Sequence, residues 1–103
     1  MPSETTLSAK AEGQAALEAL DRALAQKPKR DGHAFADMTE HLCTMRDLLI
    51  GHGRRDGELP PLLGRLNSVI STALAGHFPL GNTPWSEVEH ARGVLERLIE
   101  EAE

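Results

Sequence analysis

The stretch Pro61–Gly76, PLLGRLNSVISTALAG, restricts the fold more than any other part of the chain, because it holds a single charge, Arg65. Leu62, Leu63, Leu66, Val69, Ile70, Ala73 and Leu74 recur at helical spacing and form one apolar stripe. The other side is small instead of charged: Gly64, Ser68, Thr72 and Gly76 stand four apart, with Ser71 and Ala75 beside them. A surface helix normally turns a charged face to water. This segment is therefore expected to be covered by protein on nearly every flank. If Ser68, Ser71 and Thr72 were wet in a single-chain particle, only a plain bundle would remain.

Helical periodicity recurs on both sides of this segment. From about Thr5 to Gln26, Leu17, Leu20, Ala23 and Leu24 line one face of an alanine-rich helix, which Pro28 ends. Asp31 is placed to cap a second helix over 33–50, where Phe35, Met38, Leu42, Met45 and Leu49 follow a 3-4-3-4 spacing. Gly51, His52 and Gly53 are expected to stop it, leaving GHGRRDGE as a mobile connector. Pro60 and Pro61 are tolerated only at a helix start, so the third helix is read as 61–77. Thr83 followed by Pro84 starts a fourth, 84–102, with Trp85, Val88, Ala91, Leu95, Leu98 and Ile99 inward.

These elements predict an all-α fold, an antiparallel up-down four-helix bundle forming one domain over 1–103, with 1–4 a candidate disordered lead. Three aromatics, Phe35, Phe78 and Trp85, make its core aliphatic, which favours helices over sheet. The net charge of −5 argues against nucleic acid, whose binding needs a basic face, and against an anionic membrane surface. A lone Cys43, no apolar run after a basic start and no span of about 20 apolar residues lead us to expect a cytoplasmic protein.

Candidate chemistry is sparse. His33, Asp37 and His41 stand four apart, a spacing at which side chains on one helix face can share a metal; a solvated polar face is the preferred reading, with metal as the alternative. Glu87–His90 is a single Glu-x-x-His, where di-metal bundles need two. His90-Ala91-Arg92-Gly93 leaves histidine phosphotransfer as an alternative, with Gly93 either clearing space or admitting a neighbouring helix. Cys43 lacks a base, and Asp47 one turn on opposes a thiolate. No P-loop, dinucleotide fingerprint or hydrolase set is present, so neither enzyme activity nor a cofactor is expected.

Two surfaces remain. Bundle topology brings the first and third connectors to one end, so Lys29, Arg30, His33, His77, Phe78 and Trp85 become a candidate anchor for an acidic protein segment. The competing account is that Trp85 and Phe78 plug the bundle. Gly64, Ser68, Ser71, Thr72 and Ala75 are the candidate interface of a homodimer, with serine and threonine hydroxyls satisfied on the i−4 carbonyl. The leading function is a non-enzymatic cytoplasmic interaction or regulatory module; the alternative is a metal-binding or phosphotransfer bundle.

Overall fold

The computed structural model describes the backbone of 4–56, 62–78 and 81–101 and the side chains of 8–51, 62–78 and 81–101. These residues form four helices: α1 Glu4–Ala25, α2 Gly32–Asp56, α3 Leu63–His77 and α4 Trp85–Glu101. No strand is present among them. They assemble into an elongated all-α body measuring 42 × 21 × 19 Å. Each helix packs on its neighbours in the chain, and α1 also packs on α4.

Side-chain contacts join the late part of one helix to the early part of its neighbour. Arg22 near the end of α1 pairs with Asp37 near the start of α2 at 3.0 Å. Arg30, just before α2, reaches the end of α3. Arg65 at the start of α3 pairs with Glu101 at the end of α4. Lys27 and Asp21 meet Glu89 and Arg92 at 2.7 and 2.6 Å, closing α1 on α4.

The start of α2 is the one the sequence predicts, while Pro60 and Pro61, read as the start of α3, lie outside the described residues. Asp31 caps α2: its Oδ1 accepts from the Ala34 amide at 3.0 Å and its carbonyl from Phe35 at 3.2 Å. The α4 start rests on the backbone carbonyls of Thr83 and Pro84, which accept from Trp85 and Val88. The end of α2 corrects the sequence reading. The helix runs through Gly51, His52 and Gly53 to Asp56. A helical glycine costs about 1 kcal/mol but keeps its amide donor, so the ladder continues where a proline would break it. Residues 57–61, like 1–3, lie outside the described residues, as do the side chains of Leu7, Arg54 and Arg55.

The core is aliphatic, built around Leu20, Phe35, Met38, Leu42, Met45, Leu66, Val69, Val88, Leu95 and Leu98. Among the described residues no polar or charged side chain is buried. The inward rows of α2 and α4 are as the spacing predicts, except that Trp85 is half-buried. On α3 two corrections are needed. Leu74, assigned to the apolar stripe, is 42% exposed. The row Gly64, Ser68, Thr72, Gly76 does not share one face: the first two are exposed, Thr72 is half-buried and Gly76 is buried. Four residues advance a helix by about 400°, so such a row drifts about 40° per step and about 120° over three. At its inner end a Cβ on Gly76 would stand 2.3 Å from the Phe35 ring. At its outer end a Cβ on Gly64 would meet nothing within 4 Å.

A second close approach falls at Gly13. There a Cβ would lie 2.9 Å from Ile99 Cγ1 and 3.2 Å from Met45 Sδ, so the absent side chain brings α1, α2 and α4 together. Gly93, by contrast, has no described residue within 4 Å of its Cβ position.

Candidate functional site

At the end where the first and third connectors converge, Arg30 does the structural work. Its Nη1 donates to the carbonyls of His77 and Gly76 at 3.1 and 3.4 Å, satisfying the end of α3, which has free acceptors and a negative dipole end. Phe35 fills the space over Gly76 and lies 6.2 Å from Trp85, ring centre to ring centre, at 44°. Trp85 thus behaves as the plug. Phe78 does not: it is 67% exposed, with the edge of His77 against it at 4.1 Å. The His77 Nδ1 is buried without a hydrogen-bond partner among the described residues. Lys29 and His33 are exposed. All six predicted anchor residues lie at this end, but Arg30 and Trp85 are committed to the fold.

The second surface is the outside of α3. The described residues of one chain leave that side of the third helix open. Ser68 and Ser71 are exposed, and Thr72 and Ala75 are half-buried. For a chain that lives as a single copy this leaves a plain bundle; the association reading rests on oligomeric state. The hydroxyls behave as expected: Ser68 donates to the Gly64 carbonyl at 3.3 Å and Thr72 to that of Ser68 at 3.2 Å. Their donors are satisfied within the helix, which lowers the cost of covering them.

What the sequence reading missed is a second row. Gly64, Asn67, Ser71, Leu74 and Phe78 follow a 3-4-3-4 spacing, all exposed and none charged. The Phe78 amide donates to the Leu74 carbonyl at 2.8 Å, so the row continues the helical register at its last member. Leu74 and Phe78 are the large hydrophobics exposed among the described residues. The spacing was legible, but it was hidden by assigning Leu74 inward.

Beside this face, a groove of about 500 Å³ separates α3 from α4. Val69, Ala91 and Val94 line it with Ser68, Thr72 and His90. His90 is exposed. On α2, His33, Asp37 and His41 do not converge. Asp37 is held by Arg22, and His41 Nδ1 lies 2.5 Å from Glu12 Oε2 on α1. No group of three metal-ligating side chains occurs among the described residues. Cys43 is half-buried against the core. No described helix is long and apolar enough to cross a membrane.

Two glutamates late in α4 have partners among the described residues. Glu101 binds Arg65, and Glu96 binds Arg92 at 2.5 Å. Arg92 also binds Asp21, and these bonds, Asp21's first, raise its pKa above the ordinary arginine value. Arg92 therefore stays charged while joining α4 to α1.

No family model matches the chain, and no curated protein or solved structure matches it.

Proposed function

We propose that this chain is a non-enzymatic protein-interaction or regulatory module that acts as a homodimer through the outside of α3. The supporting observation is the exposed, uncharged row Gly64, Asn67, Ser71, Leu74 and Phe78. Protein interfaces are depleted in charge at their centre and enriched in aromatic and large apolar side chains. On a chain of net charge −5, an uncharged face is also where a second copy approaches with least repulsion. The lone, half-buried Cys43 suits a reducing compartment, and we assign the protein to the cytoplasm on that ground.

Sedimentation or light scattering at micromolar concentration tests this. The expected mass is about twice the 11.2 kDa of one chain, and Ser68→Glu reduces it. A single-chain mass at every concentration would end the proposal. The exposed His90 beside the α3–α4 groove favours the phosphotransfer alternative. Incorporation of phosphate at His90 from a partner kinase, lost in His90→Gln, would move the assignment there.

A further inference from the structure

We propose that the groove between α3 and α4 is a binding site for a small organic cation, an ammonium group carried on a hydrocarbon body. Its volume of about 500 Å³ lies in the range that holds small ligands, and the space between helices of a bundle is a usual place for such a site. The floor is apolar: Val69 and Ala91 are buried and Val94 is half-buried. The groove shares no residue with the exposed row from Gly64 to Phe78, so the inference stands apart from the dimer.

The polar groups around that floor set the sign of the ligand's charge. Ser68 and Thr72 give their hydroxyl protons to the carbonyls of Gly64 and Ser68, at 3.3 and 3.2 Å, so their oxygens remain as acceptors. Arg65 reaches the groove, but its guanidinium is held by Glu101. Glu87 lines the groove with a carboxylate that is in no hydrogen bond or ion pair among the described residues. It stands in the first turn of α4, where it complements the positive end of the helix dipole in place of an outside anion. Ser86 and His90 can each donate or accept, so they do not decide the sign. The uncompensated charge is therefore negative, and the chain's net charge of −5 has the same sign. A protonated amine brings the donors and the positive charge that these atoms lack, while its hydrocarbon part covers the apolar floor.

Titration of the isotope-labelled full chain with phenethylamine, followed by amide chemical shifts, tests this. Two probes keep the ring and change the head: phenethyl alcohol is neutral and phenylacetate is anionic. Saturable shifts are expected around Ser68, Thr72, Glu87 and Ala91. The amine should bind about three- to fivefold more tightly than the alcohol, the gain of one exposed ion pair, and phenylacetate more weakly than either. Glu87→Gln should remove the amine's advantage and leave the affinity for the alcohol as it was. Val94→Phe should fill the groove and abolish binding of all three probes. If Val94→Phe does not fold, Glu87→Gln decides by itself, because position 87 is exposed and tolerates the change. No saturable shift, shifts centred elsewhere, phenylacetate binding as tightly as the amine, or an advantage that survives Glu87→Gln each overturns the assignment. Groove amides that move with protein concentration and not with the amine would put a second copy there, and that also overturns it.

Discussion

The outside of α3 and the outside of α4 are neighbouring surfaces built on opposite plans. The exposed positions of α4 include Glu87, Glu89, His90, Glu96, Arg97, Glu100 and Glu101. Those of α3 are Gly64, Arg65, Asn67, Ser68, Ser71 and Leu74, with Phe78 just beyond. The inner sides of the two helices are alike, both aliphatic and both buried. A four-helix core thus explains the inside of each and the outside of α4, but it leaves the outside of α3 unexplained. Burial in the core does not account for an uncharged outer face; contact with something else does, or the face is simply tolerated. Mutations that separate these two surfaces are the most informative.

The largest effect is expected on the inner side of α3, where it meets Phe35. Gly76→Ala places a methyl carbon 2.3 Å from a ring atom in a filled core, and the ring is wedged between α3 and Trp85. Overpacking of this kind costs about 1–3 kcal/mol. Chemical denaturation should show the loss as a lower midpoint. The same substitution at Gly64, the outer end of the same row, should not destabilise a single chain, because no described residue stands within 4 Å. Equal losses at both sites would mean that the two ends of α3 are equally enclosed.

That pair of glycines also marks what could be read before the structure. Helix number, order and inward rows followed from apolar periodicity and from prolines that fix starts, since both act locally. The convergence of Arg30 with His77 followed from connectivity. What Arg30 does there did not, because a contact across 47 positions leaves no trace in spacing. The α2 extension was missed because glycine lowers helix propensity without removing the hydrogen bond. Leu74 was placed inward because a leucine in a helical stripe ordinarily is. Its position, two turns past the Asn67 side of the helix, carried the contrary signal. That Gly13 is a contact depends on Met45 and Ile99, which are remote in sequence, so no local signal marks it.

The next effect in size sharpens the contrast by giving α3 the kind of outer face that α4 has. Leu74→Glu adds one charge per copy to an exposed position. The stability of the isolated chain should change by less than about 0.5 kcal/mol, as is usual for surface substitutions. The dimer should weaken at least tenfold, because each charge would be buried in its interface. The control is Glu100→Gln on α4, which should leave the association constant unchanged. Sedimentation equilibrium of both variants decides the matter; the same dissociation constant for Leu74→Glu and the original chain would make the outside of α3 an ordinary wet surface.

A smaller effect, of opposite sign, is expected on α4. Gly93 is exposed in the helix interior with open space at its Cβ position. Gly93→Ala should therefore stabilise the chain by about 0.5–1 kcal/mol through helix propensity. Thermal unfolding should register a higher midpoint. A loss instead would mean that something approaches α4 at Gly93, and the surface taken here as plainly solvated would need a partner of its own.

The smallest effect lies on the edge that the two surfaces share. Arg65 is the charged residue on α3, and its guanidinium is spent on Glu101 at the end of α4. Both side chains are about half exposed, so water screens the pair. Exposed pairs of this kind contribute about 0.2–1 kcal/mol. Arg65→Gln should cost no more than that, and the difference from the original chain should vanish in 1 M sodium chloride, where the screening length falls to about 3 Å. Its effect on the dimer should be no larger, because Arg65 lies toward α4 and the row from Gly64 to Phe78 lies away from it. A dimer lost on Arg65→Gln but kept on Leu74→Glu would move the interface around the helix, into the groove lined by Val69, Ala91 and Val94.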